Sequence, residues 1–188
     1  AISLLRSDEV LEDKERLKKL VGLLGRSADR LKMFVKDFLE LSKIQEQELS
    51  IKQKPIDVAE IVDEVVEDQR ILAEDKGLSL EVEGEEECSV SGDDFVVRTC
   101  VRNLVNNAIK YTEEGNVKTS LECGDNIFRV VVEDTGTGLT EEEQDEIFQE
   151  FGRIQRTSGM QGTGLGLALV KKLVETSGGS VWVESEGK

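Results

Sequence analysis

A run of alternating glycines, Gly162-Thr-Gly-Leu-Gly-Leu167, opens directly onto an amphipathic stretch, and it restricts the possible folds more than any other feature of the chain. Alternating glycines at a helix N-terminus present free N–H groups and the positive end of the helix dipole, an arrangement that suits phosphate. The spacing is G-x-G-x-G. It matches neither the G-x-G-x-x-G fingerprint of dinucleotide folds nor the G-x-x-x-x-G-K-[ST] of P-loop proteins, and the HRD and DFG signatures of protein kinases are absent. The common nucleotide folds therefore do not account for these glycines.

Three earlier motifs point the same way. Apolar positions Val97, Cys100, Val101, Leu104, Val105, Ala108 and Ile109 predict a helix over 94–112. On it Asn103, Asn107 and Lys110 fall at i, i+4 and i+7, one stripe of two amides and an ammonium. Asparagine carbonyl oxygens are hard donors for Mg2+, and lysine is a point charge for phosphate. Next, Asp134-Thr-Gly-Thr-Gly-Leu139 follows the strand-like RVVVE. A carboxylate at a strand end accepts a hydrogen bond from an exocyclic amine such as adenine's, and the glycine turn lets backbone approach closely. Last, Phe148-Gln-Glu-Phe151-Gly-Arg153 leads into a stretch with little apolar periodicity, as a lid does, with Arg153 placed to reach a terminal phosphate. Each motif alone has an ordinary explanation: a solvated helix face, a tight turn, two core phenylalanines beside a surface arginine. In this order the four converge on a nucleotide.

The remaining pattern predicts an α+β fold, a two-layer α/β sandwich preceded by a helical hairpin. Strands are expected at LSLEVE, CSVSG and SVWVES, with NVKTSLEC and NIFRVVVEDT forming a hairpin across Gly124-Asp125. A helix is expected between an N-cap Asp57 and Gly77, and another at GLALVKKLVETSGG. Strands and helices intersperse without regular βαβ repeats, which disfavours a doubly wound sheet. Upstream, Leu17, Leu20, Leu24, Leu31, Phe34, Phe38 and Leu41 step by three and four, broken where Ser27 takes a seam position and widened by Val21, Ala28 and Val35. So broad a stripe needs other helices against it, and homodimerisation into a four-helix bundle supplies them; packing on the chain's own globular domain is the alternative. The only proline, Pro55, marks the junction, so residues 1–47 are expected to form the helical part and 48–188 the sandwich.

Composition excludes some roles. Asp and Glu number 40 against 24 Lys and Arg, a formal charge of −16 that repels nucleic acid and anionic lipid. No apolar run is long enough to span a bilayer, although the start at Ala1 rather than Met leaves a membrane segment in a longer parent open. Three widely spaced cysteines, an odd count, are expected to be reduced cytosolic thiols rather than a disulfide framework. With no histidine and no CxxC, a zinc site is not expected.

Residues 94–185 resemble the catalytic, ATP-binding domain of histidine kinases, of the Bergerat or GHKL fold. NLVNNAIKYT resembles the N box, DTGTGL and GTGLGLALVKKLVETSGGSVWVES the two glycine boxes, and FQEFGRI the F box. RLKMFVKDFLELSKI is similar to the second helix of the dimerisation and phosphotransfer domain. The resemblance implies that Asn107, with Asn103, holds Mg2+, that Lys110 contacts phosphate and that Tyr111 lines the nucleotide. It implies a hydrogen bond from adenine to Asp134, a pocket shaped by Gly136, Gly138 and Leu139, and phosphates held by Gly162, Thr163, Gly164 and Gly166 with Leu165 near the nucleotide. Arg153 is expected to stabilise γ-phosphate charge.

One departure matters. The family's phosphoacceptor histidine lies in an H box, and this chain has no histidine. The opening AISLL resembles the stretch after that box, so the acceptor is expected outside the chain. The strand that usually closes the domain after VESEGK is also missing. The expected activity is protein-histidine kinase, feeding a response-regulator Asp; a nucleotide-binding module without transfer and a GHKL-type serine/threonine kinase are the alternatives.

Overall fold

The computed structural model describes residues 14–45, 51–150 and 164–187. Its first element, α1 (Lys14–Gln45), carries the heptad-like stripe, and its two ends fare differently. Leu41 is buried and Phe34 partly buried against the sandwich domain, whereas Val21, Leu31, Val35 and Phe38 remain exposed, Leu31 at 63%. Among the described residues, the packing of α1 on the sandwich domain runs through Phe34 and Leu41 in its C-terminal part. Ser27, at the break in the stripe, returns its hydroxyl to the Leu23 carbonyl at 2.9 Å. The first helix of the expected hairpin and the 47/48 boundary lie outside the described residues. No helix among the described residues is long and apolar enough to cross a membrane.

Beyond the junction, β1 (Lys54–Asp57) pairs antiparallel with β3 (Ser89–Gly92) in a two-stranded sheet, where an N–H-less Pro55 is tolerated. Asp57 then caps α2 (Val58–Asp75) by accepting the Ala59 N–H at 2.9 Å, and Gly77 follows that helix at φ +73°. A three-stranded sheet has the order β2 (Ser79–Gly84), β4 (Asn116–Gly124), β5 (Ile127–Asp134), parallel in the first pair and antiparallel in the second. Helix α3 (Asp94–Tyr111), capped by Asp93, lies between two cores. Its Val97, Val101, Val105 and Ala108 join α2 and the sheet residues Leu80, Val117 and Leu121, while Val96 and Cys100 meet Leu165, Leu169 and Leu173 of the last helical segment. Arg98 ties α3 to α2 through Glu64 at 2.8 Å and to its own turn through Asp94 at 3.1 Å. The predicted α+β sandwich is the observed architecture.

Four local expectations need correction. The β4–β5 turn is Asp125-Asn126 rather than Gly124-Asp125: Gly124 still pairs with Ile127, and Asn126, whose short amide tolerates the left-handed region, takes φ 57°. The helix over EEEQDEIFQEF is shorter than expected. It is α4 (Glu141–Glu146), ending at Ile147 so that Phe148 lies in a turn, while Phe151 is outside the described residues. SVWVES keeps its alternation, with Val181 and Val183 half-buried and Trp182 exposed, but joins no ladder. It lies beside β5 through side chains, Arg129 standing 5.5 Å from the Trp182 ring centroid. Finally, Cys88 and Cys123 form a disulfide, their Cα atoms 5.7 Å apart across 35 residues. The fold brings the start of β3 against the end of β4, and spacing along the chain carries no trace of that. Cys100 alone is free, and buried.

Candidate functional site

The C-terminal half of α3 turns four polar side chains to the surface: Asn103, Asn107, Lys110 and Tyr111 are all half-buried. Asn103 gives its amide N–H to the Thr99 carbonyl one turn back at 2.8 Å, which frees its oxygen. Asn107 makes no side-chain hydrogen bond among the described residues. The Lys110 ammonium donates to the Tyr111 hydroxyl at 2.6 Å and stands 4.1 Å from that ring's centroid.

The end of α3 is closed without glycine. Thr112 leaves the helix in extended backbone (φ −93°, ψ 122°), and both its N–H and its buried hydroxyl bond the Ala108 carbonyl. The next two carbonyls, Ile109 and Lys110, accept from Lys76 Nζ at 2.6 and 3.0 Å, and the same ammonium reaches the Thr112 carbonyl at 2.8 Å.

Asp134, at the end of β5, uses one carboxylate oxygen to accept the Gly136 N–H at 2.8 Å. The other oxygen has no partner among the described residues. Gly136 lies on the end of α3 itself: a Cβ there would sit 2.6 Å from both the Tyr111 carbonyl and Asp134 Oδ1, so only glycine permits the approach. Thr135 fastens the same turn to the loop after α3. Its hydroxyl oxygen accepts the Asn116 N–H at 3.1 Å and lies 3.2 Å from the Glu114 carbonyl, to which it donates. On the far side, Gly138 (φ +62°) and the Leu139 N–H meet Ser185, whose hydroxyl oxygen accepts from Leu139 at 2.9 Å. Gln144 of α4 donates to the Ser185 carbonyl at 3.2 Å, completing a brace around the turn.

The third contribution is the start of α5 (Gly166–Thr176). Gly164 precedes it at φ +75°. Leu165 stands at the cap position without a side-chain cap bond, and no acidic residue occupies the first turn, a helix start that suits an anion. Gly166 faces α3: a Cβ on it would lie 2.7 Å from Asn103 Oδ1. Leu165 itself is 1% exposed and packs with Leu169, Leu173, Val96 and Cys100, so it anchors the helix rather than lining a surface. Burial in that cluster pushes the Cys100 thiol up to about 12.

The fold therefore gathers Asn103 with Gly166, Tyr111 with Asp134 and Gly136, and Lys110 with Tyr111 around one end of α3. Gly162, Thr163 and Arg153 lie outside the described residues. Lys76, Thr112, Thr135 and Ser185 were not foreseen. Thr135 at least stood inside a recognised motif, where a hydroxyl in a turn is a cue; a lysine after a helix reads as solvated until the neighbouring helix is placed. A shallow depression of about 580 Å³ lined by Asp63, Glu67, Arg70 and Val82 shares no residue with this region.

Among the described residues, the α/β sandwich sets a glycine-lined helix start without a side-chain cap against a stripe of asparagines, an arrangement that suits phosphate. Residues 92–188, just over half of the chain, match the histidine kinase-, DNA gyrase B- and HSP90-like ATPases, and the chain belongs to that family. It is 31% identical to the adaptive-response sensory kinase SasA of Crocosphaera subtropica, over 98% of this chain and 49% of that protein. Among solved structures it is similar to full-length ShkA in complex with AMPPNP (TM-score 0.74, 26% identity, 92% of this chain and 37% of that one). It is also similar to the histidine kinase ThkA in complex with the response regulator protein TrrA (TM-score 0.76, 27% identity, 96% and 51%). The chain spans about half the length, or less, of the curated relatives it matches.

Proposed function

We propose that this chain binds Mg·ATP at the end of α3 and is the catalytic part of a protein-histidine kinase, passing the γ-phosphate to a histidine outside the chain and onward to an Asp of a response regulator. The observation that carries the reading is the meeting of three segments there: α3 with its asparagines, the Asp134 turn lying on Tyr111, and the uncapped start of α5 against Asn103. The Asp134 oxygen that has no partner among the described residues is the acceptor for the adenine amine, with Gly136, Gly138 and Leu139 shaping that pocket. Tyr111 lines the nucleotide and Lys110 neutralises phosphate. Gly164 and Gly166 leave space beside the first-turn N–H groups of α5, which take phosphate oxygens, and Gly162, Thr163 and Arg153 complete this side.

The residues fit magnesium: Asn107 makes no side-chain hydrogen bond among the described residues, and the Asn103 oxygen is not used by the bond its nitrogen makes. Magnesium, when bound, offsets phosphate charge and fixes phosphate geometry, which is most of what phosphoryl transfer needs. The exposed apolar residues of α1, Val21, Leu31, Val35 and Phe38 among them, support homodimerisation through that helix.

The test mixes this chain with Mg2+, γ-labelled ATP and a longer form of the protein that carries the segment before Ala1 and is disabled by Asn107→Asp. Label that survives base and is lost in acid is the expected result. Acid-stable label would replace the histidine kinase by a serine/threonine kinase, and ATP binding without any label would leave a nucleotide-binding module.

A further inference from the structure

The last four carbonyls of an α-helix lack intrahelical donors, and a glycine in the left-handed region is the usual remedy. Helix α3 has no such glycine, and its end must nevertheless be rigid, because Gly136 closes on the Tyr111 carbonyl and Lys110 and Tyr111 occupy the last turn. Lys76 supplies the closure from another element. Its backbone N–H ends α2 by bonding the Ala73 carbonyl at 3.0 Å, and its ammonium ends α3. An ammonium has three donors, and here three carbonyls take them: Ile109 at 2.6 Å, Thr112 at 2.8 Å and Lys110 at 3.0 Å. The charge also sits at the negative end of the α3 dipole, where a cation is favoured. Lys110 cannot substitute, since its own ammonium is on the Tyr111 hydroxyl. Arg98 cannot either: it binds Glu64 and Asp94 about 20 Å away, at 1.5 Å of rise per residue along α3.

We propose that Lys76 is a positioning residue for the nucleotide site: it fixes the last turn of α3 through three carbonyls, and so sets where Asn107, Lys110 and Tyr111 meet Mg·ATP. The proposal rests on the reading of α3 as the Mg·ATP-binding helix. Nothing in the role requires Lys76 to touch nucleotide.

Tyr111 is the only tyrosine in the chain, so its labelled ring resonance reports the last turn directly, with or without nucleotide. The experiment compares the whole chain with Lys76→Met, Lys76→Arg and Arg98→Met. It reads the Tyr111 resonance, the melting temperature, and the affinity for Mg2+ plus a non-hydrolysable ATP analogue. Lys76→Met is expected to shift the Tyr111 signal in nucleotide-free protein and to weaken analogue binding about tenfold. Lys76→Arg keeps the charge but presents a planar fork to three converging acceptors, and should recover part of both. Arg98→Met should lower the melting temperature yet leave the Tyr111 signal in place and affinity within about twofold. If Lys76→Met does not fold, Lys76→Gln, which keeps an amide donor, carries the comparison. An unmoved Tyr111 signal with unchanged affinity would overturn the proposal while leaving the ATP site intact. Equal losses in Arg98→Met would overturn it too, by reducing the effect to general destabilisation. No analogue binding by the unsubstituted chain would instead remove the site, and the role of Lys76 with it.

Discussion

Helices α4 and α5 begin in opposite ways. At α4, Thr140 accepts the Glu143 N–H at 3.2 Å, the Glu143 carboxylate accepts the Thr140 N–H at 2.9 Å, and Glu141, Glu142 and Glu143 fill the first turn. The free donors are consumed and the dipole is answered. At α5, Leu165 caps with no side chain and no acid follows. What holds α5 is burial: Leu165, Leu169, Val170 and Leu173 are each at most 1% exposed. A side-chain cap contributes about 1 kcal/mol. Each fully buried Leu or Val contributes roughly 1.5–3 kcal/mol. Packing on one face of α5 therefore outweighs the missing side-chain cap several times over, so the helix does not depend on a cap at its tip. A helix start that is stabilised from its side can bind an anion; one stabilised at its tip cannot.

The largest expected effect tests the packing side of that contrast. Leu169→Ala removes a fully buried side chain at the centre of the α5 cluster and should cost about 2–5 kcal/mol in a denaturant titration. A cost near zero would mean α5 is not anchored by burial. Next comes the open tip. Gly166→Ala places a methyl where Asn103 Oδ1 stands 2.7 Å away, so it should cut Mg·ATP-analogue affinity tenfold or more, roughly 1.4 kcal/mol, while the melting temperature holds because alanine favours helix. Equal affinity in the variant would break the link between Gly166 and the site. The capped helix should behave in reverse: Thr140→Ala is expected to cost about 1 kcal/mol of stability and leave analogue affinity unchanged in the same titrations.

The smallest effect is a pH dependence. Burial raises the Cys100 thiol from its ordinary 9.0 to about 12. The unfolded chain then loses that proton first, so stability contributed by the neutral buried thiol is complete below about pH 9 and falls as pH climbs toward 12. Denaturant midpoints taken at about pH 8 and about pH 10 should differ in that direction for the native chain and less so for Cys100→Ala. Alkylation at about pH 8 should spare Cys100 until the cluster around α5 opens.

Where local structure was legible, it was because the relevant pattern is written within a few residues. Alternating glycines before an apolar helix, asparagines four apart and an Asp before a glycine turn each specify a backbone or a stripe within a few residues. Helix α2 was bounded by Asp57 and Gly77 for the same reason. What escaped depends on elements far apart in the chain. The Cys88–Cys123 bridge exists because the fold brings the start of β3, in one sheet, against the end of β4, in the other, and Lys76 closes α3 from 33 to 36 residues away. SVWVES has the alternation of a strand, and alternation reports exposure on two sides rather than a hydrogen-bonded partner; here the exposure pattern is met without a ladder. The α1 stripe likewise foretold an apolar face but not that, among the described residues, Leu41 and Phe34 would be the ones to pack on the sandwich domain.

The most direct test of the account is a calorimetric titration of the chain with a non-hydrolysable ATP analogue, with and without Mg2+, repeated on Asp134→Asn. The account predicts one saturable site per chain, weakened at least about tenfold both by omitting Mg2+ and by the substitution. Binding indifferent to Asp134 and Mg2+, or none at all, would contradict it.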